Sequence, residues 1–490
     1  MDEQRSKPED ERPVDPEYRV FPKSWGAEYI AAGEVRFRLW ASGIETLNLR
    51  LSDEEVPMTA MGDGWWDLLA TNVAPGTPYA FVLPDGRHVP DPAGRALESD
   101  VHGPSLVVDP TAYRWKNRGW TGRPWSEAVV YEIHVGTFTD EGTFAAAAAR
   151  LPALADIGVT VVQLMPVAAF GGKRGWGYDG VLLYTPHPSY GSPDDMKAFI
   201  DAAHGLGLMV MLDVVYNHLG LDGNHLQVYA PDLFMTEGTP WGPRPDVSRK
   251  PMRDLIAENA LYWLEEFALD GLRFDAVDRI EDADSDEHFV EELALLIRKT
   301  LPGRHIHLVV EDSRNITALH ERSEDNAVRL YDAVWNDGYH HLIHAWATAE
   351  HVGHFKVFAD NFWPRIAKTL ASGFAIQGER IEGKGDALVG EPSGHLPPVT
   401  FINFLQNHDQ IGNRGRGDRL WSLIDPDLAE RLMAILLLAP QIPMLFMGDE
   451  FRSRGRFFFF SDYPLDLDQN SLEDRLQQAR SFGTEDLELQ

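Results

Sequence analysis

The sequence contains no cysteine. That excludes disulfide staples, thiolate nucleophiles and cysteine-bound metal together, and it fits a reducing compartment such as the cytoplasm. Basic residues are few beside acidic ones: 44 Lys plus Arg stand against 76 Asp plus Glu, a formal charge of −32 over 490 residues. Nucleic-acid binders carry a basic footprint, and anionic membrane surfaces repel the same negative sign. Neither nucleic acid nor a membrane is therefore expected as a partner. Long apolar runs are missing too. MAILLLAP, near the C-terminus, is far short of the roughly 20 residues that cross a bilayer. The N-terminal MDEQRSKPEDERPVDPEYR is too charged for a secretory leader. No G-x-G-x-x-G directly follows a strand-like run, and no H-E-x-x-H occurs, so neither a dinucleotide site nor a compact metal site is expected.

What is present is a large apolar fraction, 44% of residues, with 14 Trp and 14 Tyr. Such a chain is globular and long enough for roughly two to four domains. Residues 1–20 read as a disordered tail. Residues 21–110 carry short alternating segments, EVRFRLWA, TLNLRLSD, GWWDLLA and PYAFVL, separated by turns such as MGDG and PDGR. This pattern predicts a small antiparallel β-sandwich. After a Pro- and Trp-rich joint, RWKNRGWTGRPW, the pattern changes.

Over residues 111–455, eight apolar strand-like runs alternate with helical stretches: AVVYEIHVGTF, VTVVQLMPV, LMVMLDVVYNH, GLRFDAV, HLVVED, YDAVWNDG, VTFINFLQNHD and PMLFMGDE. Continuous apolar runs mark buried parallel strands. Eight of them with intervening helices predict an α/β fold, a (β/α)8 barrel of the TIM type. TFAAAAARLPALADIG reads as one helix ended by Gly158. The competing fold is an open doubly wound sheet.

In such a barrel the chemistry sits where the strands end. Asp213, Asn217 and His218 follow the third run, Arg273 and Asp275 belong to the fourth, Glu311 and Asp312 end the fifth, and His408 and Asp409 end the seventh. A single Asp at a strand end is usually a helix cap or turn residue. Several carboxylates converging on one mouth with an arginine and two histidines are different. They suit glycosidic bond cleavage, in which one carboxylate attacks the anomeric carbon and a carboxylic acid protonates the leaving oxygen. Arg273 lies two residues before Asp275, so both side chains share one face of the strand, and the cation should keep Asp275 ionised. Glu311 on the next strand, about 4.8 Å away, would serve as the acid and then the base. A metal site is the rival use of Asp and His, but the groups are scattered over many strands.

The segments DVVYNH, GLRFDAVD, VVED and FLQNHD resemble, in order and in position, four signature regions of the α-amylase family of glycoside hydrolases. The resemblance implies that Asp275 is the nucleophile, Glu311 the acid/base and Asp409 a third carboxylate gripping sugar hydroxyls. It places Tyr178, His218, Arg273 and His408 around the cleaved bond. Within that family, YEIHVGTFT, WGYDGVLLYTPHPSYG, WNDGYHH and FLQNHDQIGNR look like the maltooligosyltrehalose trehalohydrolases. This closer resemblance adds Asp278, Asn336, Asp337, Gln410 and Asn413 as substrate-binding candidates. It implies hydrolysis of the α-1,4 bond next to the terminal trehalose of a maltooligosyl trehalose, without cofactor or metal. An α-glucan branching transferase and a non-catalytic glucan-binding member are the alternatives. The family continues into a C-terminal β-sandwich, whereas residues 456–490 are too few for one, so that domain is expected to be absent or truncated. The run Phe457–Phe460 should then need covering, and a homo-oligomer is one way to cover it.

Overall fold

The computed structural model describes residues 18–283, 285–381 and 386–462. Most of the 1–20 tail and of the 456–490 tail thus lies outside the described residues. Within them, no helix is long and apolar enough to cross a membrane.

The N-terminal segment forms two antiparallel sheets. One runs in the order Gly26–Ala31, Glu34–Trp40, Trp65–Thr71, Thr59–Gly62. The other is built on Glu54–Pro57, Asn48–Leu51 and Pro78–Val82, with three two-residue strands beside them. Alternation does what period-2 patterning requires. In EVRFRLW, Val35, Phe37 and Leu39 are buried while Glu34 and Arg36 face water. Phe37 meets Tyr79 of the opposite sheet edge-on, with centroids 4.9 Å apart.

The joint after this domain is packed rather than free. Trp120 stacks on His204 at 4.8 Å and donates to Asp270 Oδ1 at 2.7 Å. Trp125 belongs to the cluster inside the barrel and donates to the Val399 carbonyl at 2.8 Å, plugging its lower end.

The eight predicted strands close into a parallel barrel: Val130–Ile133, Val161–Leu164, Met209–Val214, Gly271–Phe274, His307–Val310, Ala333–Trp335, Phe401–Phe404 and Ile442–Phe446. The first pairs with the last, which excludes the open sheet. The helices outside begin where their caps dictate. Ser192 and Asp195 form a reciprocal capping box for Pro193–Gly205, and Asp425 caps Pro426–Leu438.

Three features depart from the sequence reading. The alanine-rich helix is broken into Phe144–Ala148 and Leu151–Asp156, because Pro152 lacks an N–H and begins a new turn. A small hairpin, Ala168–Ala169 with Leu182–Pro186, rises beyond the second barrel strand. Between the sixth and seventh strands lie not one helix but Asp337–Thr348, a 3-10 segment Gly353–Phe358, and Phe362–Ser372.

The seam between the β-domain and the barrel holds a buried ionic network. Arg95, 3% exposed, reaches Glu266 with Nε at 3.0 Å and Nη2 at 2.9 Å, and Glu28 with Nη1 at 2.9 Å. Lys197 adds a second cation 3.6 Å from Glu266. Removing one partner of such a network strands the other charge in a dry site, at a cost of about 3–5 kcal/mol. Arg95→Met is therefore expected to lower the melting temperature by several degrees and to promote early loss of the β-domain, checked by calorimetry and limited proteolysis.

Candidate active site

Inward positions recur at every second residue of each barrel strand. In the lower layers they are apolar: Val130, Val161, Met211, Val309, Ile402 and Met444 fall in one interior cluster. Nearer the C-terminal rim the same parity carries Glu132, Asp213 and Arg273, and just past the strand ends Asp275 and Glu311. The apolar floor and the polar mouth are one alternating pattern read along each strand.

Arg273 is the hub of the mouth. It is 1% exposed and its guanidinium lies over the Trp335 ring, 4.0 Å from the centroid. Nη1 donates to Asp213 Oδ2 at 2.6 Å and to Asp275 Oδ1 at 2.9 Å, while Nη2 donates to Glu311 Oε2. Asn217 Nδ2 donates to the other Asp275 oxygen at 2.7 Å, so both oxygens of that carboxylate are held. Ala276 follows in the left-handed region, φ 40° and ψ 55°, and its N–H donates to Glu311 Oε2 at 3.3 Å. A left-handed alanine costs roughly 1–3 kcal/mol. Here the surrounding bonds impose it, and it turns the chain so that Asp275 and Glu311 face one space.

Burial pushes the Asp275 carboxyl above its ordinary range; Arg273 pulls it back and the Asp213 charge adds to the rise. The sequence expectation that Arg273 would simply keep Asp275 ionised therefore left out desolvation, which is the larger effect. Burial likewise raises Glu311, with the Asp275 charge reinforcing it and Arg273 opposing. Asp337 is pushed up to about 8, first by burial and then by the carboxylates of Glu311 and Asp409.

These groups open into a cavity of about 460 Å³. Its wall includes seven of the residues singled out from sequence: Tyr178, His218, Arg273, Asp275, Glu311, His408 and Asp409. Tyr178 stacks on His408 at 5.1 Å and donates to Asp213 Oδ2 at 2.6 Å. His218 is fixed by the Tyr178 carbonyl, 2.7 Å from Nε2, and by Asn217.

The remaining five candidates lie behind or beside the wall. Asn413 donates to Asp409 Oδ1 at 2.5 Å and so orients that carboxylate. Gln410 donates to Asp337 Oδ1 at 3.2 Å. Asp278 accepts from Ser313 at 2.7 Å. Asn336 is 1% exposed, and its amide donates to the Gly373 carbonyl at 3.1 Å and Asn403 Oδ1 at 2.8 Å. Its NH2 group is spent inside the protein rather than offered to the cavity.

Asn217, read from sequence only as a polar residue after the third run, also lines the wall, as do Trp176, Trp241, Arg279 and Phe459, which were not singled out. Phe459 belongs to the run that looked like an uncovered patch. In the fold, Phe457 stacks on Trp176 at 5.4 Å, and Phe459 meets Trp176 and Trp241 edge-on at 5.0 and 6.4 Å. Only Phe458, 45% exposed, stays outside. The chain covers its own phenylalanines, which removes the ground on which a homo-oligomer was expected.

Trp176 packs directly on the backbone of Gly412. A Cβ at Gly412 would fall 1.9 Å from Trp176 Cζ2. Overpacking of this kind costs about 1–3 kcal/mol. Gly412→Ala is expected to displace Trp176, alter tryptophan fluorescence and lower kcat/KM by about tenfold or more; unchanged fluorescence and kinetics would contradict the packing described.

Comparison with known proteins accords with this geometry. Residues 111–229 match the α-amylase catalytic domain. A malto-oligosyltrehalose trehalohydrolase of Deinococcus radiodurans is 41% identical over 461 residues, 94% of this chain and 75% of that protein. A second, from Saccharolobus solfataricus, is 36% identical over 88% of this chain and 75% of its own length. Among solved structures, a Salmonella typhimurium protein described provisionally as an alpha amylase superposes with a TM-score of 0.92 at 53% identity, covering 95% of this chain and 80% of that one. An eight-stranded barrel with its carboxylates gathered on one arginine, and likeness of this extent to named enzymes, lead to one assignment: the chain belongs to the malto-oligosyltrehalose trehalohydrolase family, within the α-amylase glycoside hydrolases.

Proposed function

We propose that this enzyme hydrolyses the α-1,4-glucosidic bond next to the terminal trehalose of a maltooligosyl trehalose, releasing trehalose with retention at the anomeric carbon. The observation that carries the reading is the binding of Asp275 and Glu311 to the two terminal nitrogens of one guanidinium. That holds the carboxyls close, as the roughly 5–5.5 Å separation of retaining enzymes requires. Asp275 attacks the anomeric carbon while Glu311 gives its proton to the departing trehalose oxygen. Water, deprotonated by Glu311, then releases the maltooligosaccharide from Asp275.

Asp409 grips hydroxyls of the sugar being cleaved, Tyr178 covers its ring face, His408 offers Nε2 at its edge, and His218, with both ring nitrogens bonded to Tyr178 and Asn217, shapes the wall beside it. Asp337, Gln410 and Asn413 support Asp409 and its turn; Asp278 and Asn336 brace the loops behind. All of this uses side chains of the chain itself. Cytoplasmic action fits the cysteine-free composition.

The test is product analysis. Maltotriosyl trehalose should yield free trehalose and maltotriose, with little action on a linear maltooligosaccharide or amylose. New α-1,6 branches in amylose would instead favour a glucan transferase. Asp275→Asn and Glu311→Gln should each lose several orders of magnitude in kcat while keeping the fold, because chemistry is lost and packing hardly changes.

The pH dependence has a defined sign. Activity needs Asp275 ionised and Glu311 protonated. Lowering pH through the raised Asp275 value therefore removes the nucleophile, and raising it through the raised Glu311 value removes the acid. The kcat/KM profile should be bell-shaped with both limbs above the ordinary carboxylate range, and residual activity in Glu311→Gln should lack the alkaline limb that belongs to Glu311.

A further inference from the structure

One charged group beside the cavity has no part in the chemistry above. Glu132 sits in the middle of the first barrel strand, fully buried, at an inward position. Both its oxygens serve one residue: Oε1 pairs with His408 Nδ1 at 2.7 Å, and Oε2 accepts the His408 backbone N–H at 3.1 Å. A carboxylate on a buried strand is costly unless it is paired. A role in packing alone would be met by an apolar residue. His408 stacks on Tyr178, meets Trp176 edge-on at 5.2 Å, and lines the cavity. With Nδ1 committed to Glu132, Nε2 is the nitrogen left for a ligand.

We propose that Glu132 is a positioning residue for the hydrolysis: it holds His408 as an imidazolium, a second fixed cation beside Arg273, with Nδ1 donating to Glu132 and Nε2 donating to a hydroxyl of the bound sugar. This rests on the reading of the cavity as a glycosidase centre. The charged groups around the ring come from several elements. Glu132 on the first strand, Asp409 on the same turn, Asp213 on the third strand and Glu311 on the fifth favour the cation. Arg273 on the fourth strand and His134 beyond the first oppose it, as does burial. The carboxylates prevail, and His408 stays above the ordinary imidazole value, with Glu132 the largest raising influence. The stacked Tyr178 ring offers a further face to the cation. A neutral ring bound to Glu132 through Nδ1–H would present Nε2 as an acceptor instead, so Glu132 decides what the cavity offers the sugar.

The test reads His408 itself. Protein with 13C-labelled histidine is titrated by NMR, and the His408 signal is assigned by its loss in His408→Asn. The expected result is a titration midpoint above the ordinary imidazole value. Glu132→Gln should lower that midpoint by about one unit or more and raise KM more than it lowers kcat. Glu132→Asp should restore part of each. A wild-type midpoint at or below the ordinary imidazole value, or the same titration in Glu132→Gln whatever happens to its activity, overturns the proposal. If Glu132→Gln does not fold, the wild-type titration still decides. The NMR readout needs no substrate. A charged His408 in a protein inactive on maltotriosyl trehalose would count against the proposed substrate and not against the role of Glu132.

Discussion

The mouth of this barrel depends on a single buried guanidinium. Asp213, Asp275 and Glu311 come from three successive strands and would repel one another in a desolvated site. Arg273 binds all three and rests on the face of Trp335. Arginine suits the place because its planar fork offers several donors at fixed angles and keeps its charge when buried. A lysine would supply one point charge and could not span two strands at once. The price is a deeply desolvated cation, tolerated because each of its neighbours is an anion or an aromatic ring. Catalytic geometry and local stability are thus the same interaction, and the raised carboxyl groups follow from it: the arginine is strong enough to gather them yet shared among three, so burial still outweighs it at Asp275 and Glu311.

The parts around this hub form graded supports. The β-domain is locked to the barrel by an ion network of the same kind, Arg95 among Glu28 and Glu266, although it contains no catalytic group. Aromatic stacking of Tyr178 on His408 connects the loop after the second strand to the turn after the seventh. Asn217 and Asn413 do for Asp275 and Asp409 what Arg273 does for the set, fixing each carboxylate from behind by an amide.

Much of this was legible in the sequence because a parallel barrel writes its strands as short apolar runs and its chemistry at their ends. Asp213, Arg273, Asp275, Glu311, His408 and Asp409 were visible as polar residues terminating such runs. Glu132 was not singled out, although a charge inside YEIHV, at the parity that faces the barrel interior, is the signal that marks it. The break at Pro152 was available from proline chemistry alone. Asn336, Gln410 and Asn413 became substrate-binding candidates through the family resemblance; their amides suit sugar hydroxyls, and the same chemistry suits backbone carbonyls and carboxylates. Only three-dimensional neighbours tell these uses apart. The cavity contribution of Phe459 and Trp241 was hidden for another reason: both sit in irregular segments where no periodicity predicts a direction.

The strap Phe457–Ser461 has one more consequence. Trp176 Nε1 donates to the Phe458 carbonyl at 3.0 Å, and Gly175 bridges Ser461. On the other side, Phe457 and Phe459 N–H groups bond the carbonyls of Gly417 and Gly412 at 3.2 Å each. The loop bearing Tyr178 and the turn bearing Asp409 are therefore cross-braced by a segment that the chain reaches only after the barrel has closed. The folding unit that makes a working mouth is longer than the barrel that names the fold. The mouth therefore has its final shape only with Phe457 and Phe459 docked across the rim.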